Sequence, residues 1–99
     1  MGQERRGNIR HAIREQISYT VNQCSYSSET IDISRGGIKF DTSQLLPPLT
    51  PTTIAIHHQP GMTFHGVIMW SGRVNSHCSA AIRFAELSPE QEQFLEQLL

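Results

Sequence analysis

The stretch Ile31-Asp32-Ile33-Ser34-Arg35-Gly36-Gly37-Ile38-Lys39-Phe40-Asp41 contains two runs of alternating apolar and polar residues joined through a glycine pair. A period of two marks a half-buried strand, and a Gly-Gly pair between two such runs reads as a hairpin turn. On this reading Ile31, Ile33, Ile38 and Phe40 face a core, and Asp32 and Ser34 stand ~6.6 Å apart on the outer face. Gly36 and Gly37 permit positive φ and a close approach of backbone to a ligand.

The same period continues outward from this hairpin. Upstream, Ile17, Tyr19 and Val21 alternate with Ser18 and Thr20. Downstream, the connection over 45–51 carries Pro47, Pro48 and Pro51, which cannot donate to a central sheet, and a further strand is predicted over 52–57. Gln59-Pro60-Gly61 gives a turn signal. The stretch 64–71, with Val67, Ile68, Met69 and Trp70, is apolar on both faces, so it is expected to be covered on both sides with Trp70 in the core. A last strand is predicted over 80–85. Ser88-Pro89-Glu90-Gln91 then opens a helix with a capping box, and Phe94, Leu95, Leu98 and Leu99 line one side of it.

About six short strands before one helix predict an all-β fold, a small closed barrel or barrel-like sheet, since closure removes the edges that a naked sheet would expose. Residues 1–14 show no sustained period and contain Gly7 and Asn8, which predicts a mobile leader. The plan is therefore a single domain over 1–99: leader 1–14, barrel 15–86, helix 88–99.

A chain of 99 residues with 37% hydrophobic and 17% charged residues has room for one modest core, and disorder is excluded. The net charge of −1 removes any bulk electrostatic case for DNA or RNA. It also hides an asymmetry, because Arg5, Arg6, Arg10 and Arg14 begin the chain and Glu86, Glu90, Glu92 and Glu96 end it. No run approaches the ~20 apolar residues of a membrane span, and the arginine-rich start lacks a signal peptide's apolar centre. A cytoplasmic location without membrane insertion is expected. Cys24 and Cys78 read as reduced structural thiols, and Cys24, His65 and His77 lack the spacing of a zinc site.

Two clusters carry chemistry. In Glu4-Arg5-Arg6-Gly7-Asn8-Ile9-Arg10, Arg6 and Arg10 form an RxxxR pair with Arg5 beside it. Guanidinium is a planar, permanently charged fork of donors that suits phosphate oxygens or the O6/N7 edge of guanine. Arginines solvated at a chain end would have the same composition. The second cluster, Asp32-Ile33-Ser34-Arg35-Gly36-Gly37, offers a carboxylate that can accept from guanine N1 and N2 and a hydroxyl for a base or a phosphate. A plain polar strand end with a hairpin turn would look alike.

The combination is more specific. ERRxxxR near the N-terminus, DxSxxG after one strand, then Val67-Ile68-Met69-Trp70 and Ala81-Ile82-Arg83-Phe84 before a terminal helix, resembles the PilZ domain family over almost the whole chain. The resemblance implies a six-stranded antiparallel β-barrel and a receptor for the bacterial second messenger cyclic diguanylate. It implies that Arg5, Arg6 and Arg10 supply the arginine motif, and Asp32, Ser34, Gly36 and Gly37 the DxSxxG segment. It departs from the family at Gly7-Asn8-Ile9, which lacks the aromatic-proline spacing often seen there, and in a longer link to the first strand.

The function expected from this is binding without catalysis. No cofactor is called for, and the leader would order on the ligand and relay its presence to a downstream protein. An enzyme is disfavoured by the lack of a metal-binding carboxylate cluster and of a GK[ST] after the glycines. The alternative is a nucleotide-independent interaction domain of the pilus-biogenesis or motility type.

Overall fold

A computed structural model describes residues 9–58 and 60–99. Six strands precede one helix: β1 Gln16–Val21, β2 Cys24–Ile33, β3 Gly37–Thr42, β4 Pro51–Ile56, β5 Met62–Val74, β6 His77–Phe84 and α1 Pro89–Leu98. All strand pairs are antiparallel and close into a barrel in the order β1-β2-β3-β6-β5-β4. The chain thus makes two three-stranded meanders, β1–β3 and β4–β6, sewn together at β3/β6 and β1/β4. β5 and β2 run longer than the alternation predicts, because their outer ends are mostly exposed and lack a continuous buried face.

One inner row sets the register around half the barrel. Ile33 pairs with Ile38, Ile38 with Ile82, and Ile82 with Ile68, all of them buried. Side chains alternate across a strand, so one step along these strands leads from the isoleucine row to an outer row. That outer row reads Asp32, Lys39, Ala81, Trp70.

Two bulges decide which residues join it. The register of β2 on β3 slips between Thr30 and Asp32, leaving Ile31 as the extra residue, and that of β5 on β6 slips between Ile68 and Trp70, leaving Met69. An inserted residue inverts the alternation beyond it. Two expectations are corrected here. Ile31 is only half-buried, and Thr30 takes the inner place instead. Trp70, which shares parity with the buried Phe64 and Ile68, is turned outward to 43% exposure, so its strand is not covered on both faces.

The expectation of a free leader is corrected for residues 9–14. His11 donates its N–H to Ile33 O at 2.8 Å and accepts from Ile33 N at 2.9 Å, one rung of antiparallel pairing on the end of β2. Buried Thr30 receives Glu15 N–H on its hydroxyl at 2.8 Å and donates to Ile13 O, while Arg14 Nη1 donates to Thr30 O at 3.0 Å. Residues 1–8 lie outside the described residues.

At the other end of the chain the capping box forms as read. Ser88 Oγ accepts from Gln91 N at 3.1 Å, and Gln91 Oε1 accepts from Ser88 N at 2.8 Å. Phe94 and Leu95 are buried against the barrel.

The β3–β4 loop is fastened to β5 on both sides of the Met69 bulge. Leu49 donates its N–H to Ile68 O and Ile68 to Thr50 O, while Ser71 Oγ accepts from Leu46 N and donates to Leu46 O. Pro47-Pro48-Leu49-Thr50 closes on Thr50 N to Pro47 O at 3.4 Å, with Leu49 at φ 68°, where type II turns favour glycine. The Leu49 side chain is 68% exposed and so recovers little of this strain by packing. Left-handed backbone costs a non-glycine residue roughly 1–2 kcal/mol, and glycine's extra chain entropy offsets about 0.5–1 kcal/mol. Leu49→Gly should therefore stabilise the fold by about 0.5 kcal/mol and raise the thermal midpoint by roughly 2–4 °C. A lowered midpoint would show that the leucine packs better than its exposure indicates.

Candidate functional site

A cavity of about 560 Å³ opens over the outer row, within the range of roughly 300–1,000 Å³ usual for small-molecule sites. Its walls come from three sources: Arg10 before β1, the β2–β3 segment with Asp32, Ser34, Gly36, Gly37 and Lys39, and the facing parts of β5 and β6 with Met69, Trp70, Ala81, Ile82 and Arg83.

The His11–Ile33 rung brings Arg10 within reach of β2, and Arg10 Nε donates to Asp32 Oδ1 at 2.7 Å. The Asp32 side chain is 19% exposed and the Arg10 side chain 44%, so the carboxylate is half-sunk while the guanidinium keeps an open flank. Asp32 owes its outward position to the bulge at Ile31.

Ser34 is not the outward-facing hydroxyl that alternation suggests. It is fully buried, and its Oγ accepts from Gly36 N at 3.1 Å and Gly37 N at 3.2 Å while lying 3.3 Å from Gly37 O as donor. These bonds knit the turn. The glycines also serve otherwise than expected. Among the described residues no glycine has positive φ. Gly37 is required because a Cβ there would lie 2.0 Å from the Ile82 carbonyl oxygen of the neighbouring strand. The close approach is of strand to strand, and it draws β3 and β6 together under the cavity.

Arg10, Asp32, Ser34, Gly36 and Gly37 of the sequence-based site therefore meet at one cavity, whereas Arg5 and Arg6 lie outside the described residues. Sequence reasoning missed Lys39, Arg83, Met69 and Trp70. Lys39 and Arg83 had an available signal, since each is a cation at a polar position between apolar residues of a strand, and Lys39 follows the glycine turn closely. Trp70 had none, because its outward turn depends on the bulge.

Arg10, Lys39 and Arg83 set three cations against the Asp32 carboxylate around the cavity. Lys39 Nζ sits 5.3 Å from the Trp70 ring centroid. An exposed indole beside cations offers stacking and anion contacts within one molecule's reach, and a carboxylate adds acceptors for base N–H donors. Among the described residues no group of three or more His, Cys, Asp or Glu is placed to hold a metal ion.

A model of the PilZ domain matches residues 4–99, so the chain belongs to the PilZ domain family. No curated protein matches its sequence. Solved structures share the fold at low identity. The Bacillus subtilis inhibitor of motility MotI/DgrA superposes with a TM-score of 0.79 at 14% identity, over 95% of this chain and 49% of that one. The PilZ domain of CeSA from a cellulose-synthesizing bacterium gives 0.68 at 16% identity, over 91% and 93%. The Borreliella burgdorferi PlzA protein, solved in complex with c-di-GMP, gives 0.57 at 10% identity, over 98% and 53%. The chain thus spans about half the length of the MotI/DgrA and PlzA chains.

Proposed function

We propose that this chain is a receptor for cyclic diguanylate, a binding domain and not an enzyme, which relays the nucleotide's presence to a partner protein. The observation that carries the reading is the gathering of the Arg10–Asp32 pair, Lys39, Arg83 and the partly exposed indole of Trp70 around one cavity. Cyclic diguanylate carries two phosphates and two guanines, which call for cations, a stacking face and a carboxylate acceptor together. In this reading Arg10 takes phosphate or the guanine O6/N7 edge, and Asp32 takes guanine N1 and N2. The Ser34-to-Gly37 turn lines the floor, and Arg5 and Arg6, preceding Arg10 in sequence, close on the ligand and couple it to the partner. Membership of a family whose neighbour PlzA was solved with c-di-GMP supports this.

Isothermal titration against cyclic diguanylate and cyclic diadenylate tests it. The first should bind saturably and the second at least about ten-fold more weakly, because where guanine presents its N1 and N2 donors adenine presents an N1 acceptor and a C2 hydrogen, which give the half-buried Asp32 carboxylate no donor there. Equal affinities would mean that the site reads phosphates alone. Binding of neither would select the nucleotide-independent interaction domain.

A further inference from the structure

Lys39 occupies the middle of the outer row, with Asp32 across one strand boundary and Ala81 across the other, and Trp70 beyond Ala81. Ala81 carries only a methyl group, so the lysine stem can cross it and bring Nζ to 5.3 Å from the Trp70 ring centroid. Ala81 faces outward yet is only 8% exposed, as a methyl roofed by its two long neighbours would be. The Asp32 carboxylate opposite Lys39 is engaged by Arg10. Among the described residues Lys39 has no carboxylate partner within ion-pair distance.

In this arrangement the lysine ammonium stands over the indole, held by an attraction weaker than a charge-assisted hydrogen bond to an anion. A planar base and an ammonium cannot share one face of one ring. We propose that Lys39 is an exchangeable cap on Trp70: it yields the indole to the entering base and transfers its ammonium to an anionic group of the same ligand. Lys39 is then a specificity-determining residue. A base without a phosphate would expel the ammonium into water, and a phosphate without a base would strip the indole bare. Only a ligand with both, spaced by about the two-strand, ~10 Å separation of the Lys39 and Trp70 backbones or less, satisfies both partners. The inference rests on the cyclic dinucleotide reading of the cavity and deepens it.

Trp70 is the only tryptophan in the chain, so its fluorescence reports on this ring alone. The test compares the full chain with its Lys39→Met variant, which keeps an unbranched stem and removes the charge. Without ligand, acrylamide should quench Trp70 more readily in Lys39→Met than in the unaltered chain. With saturating cyclic diguanylate, the two should be equally protected. By titration calorimetry Lys39→Met should bind roughly ten-fold more weakly, with a flatter dependence on salt, and Lys39→Arg should retain most of the affinity. Thermal midpoints should agree, since the residue lies on the outer face. Binding by Lys39→Met as tight as that of the unaltered chain, or Trp70 emission that the ligand leaves unchanged, overturns the exchange while leaving the receptor reading standing. Failure of the unaltered chain to bind overturns both.

Discussion

Arg10→Ala is expected to weaken cyclic diguanylate binding by roughly 10- to 150-fold while leaving the melting temperature almost unchanged. The loss follows from one or two charge-assisted hydrogen bonds worth about 1.5–3 kcal/mol. The unchanged stability follows from position. The Arg10 side chain is 44% exposed, and its pair with Asp32 is the kind of partly solvated ion pair that contributes about 0–1 kcal/mol to folding. The backbone rung that holds this segment to β2 uses His11 and Ile33, which the substitution does not touch. Arg10→Lys should recover only part of the affinity, because an ammonium keeps the charge but not the planar fork. Titration calorimetry and thermal melts on the same samples separate the two effects. Undiminished binding by Arg10→Ala would remove this residue from the site.

Gly37→Ala should have the opposite signature, a large loss of stability through the fold itself. The added Cβ would stand 2.0 Å from the Ile82 carbonyl oxygen and 3.1 Å from its carbonyl carbon, so a main chain and not a movable side chain must give way. Ile82 belongs to the buried isoleucine row, and shifting β6 there disturbs its packing on Ile38 and Ile68. Overpacking of this kind costs about 3 kcal/mol or more, which for a domain of this size lowers the thermal midpoint by roughly 12–24 °C. Gly72→Ala is the internal control. Its Cβ would meet only Trp70 side-chain carbons at 3.6 and 3.9 Å, ordinary contact distances, and its φ is not in the left-handed region. A Gly37→Ala protein as stable as the Gly72→Ala protein would show that β3 and β6 can separate without loss.

The barrel was legible because its strands are written in alternation and its helix in capping chemistry. Ile17, Tyr19 and Val21 face the core as read, and Ser88 and Gln91 cap each other as read. What alternation cannot express is an inserted residue. Ile31 and Met69 look like ordinary members of apolar strands, and nothing in their identity marks them as extra; yet they turn Asp32 and Trp70 into the cavity. The docking of residues 9–14 was equally hidden. His11 joins β2 through main-chain groups common to every residue, and Thr30 supports it from a position that side-chain period assigns to the surface. Motif reading singled out Ser34 and Gly37 as ligand contacts, and it could not express their part in the fold, where Ser34 ties the turn and Gly37 lets two strands approach.

The seam between β3 and β6 has a kinetic consequence. Each meander can form from contacts close in sequence, but β3/β6 and β1/β4 join residues far apart in the chain, so closure carries the largest loop entropy and belongs late in folding. The cavity lies astride that late seam, with Gly37 and Lys39 from one meander and Ala81, Ile82 and Arg83 from the other. A ligand seated there grips both halves at once and must be released before they can part. Its binding energy is then withheld from the transition state for unfolding and appears in the unfolding rate, so that occupancy sets the lifetime of the closed barrel.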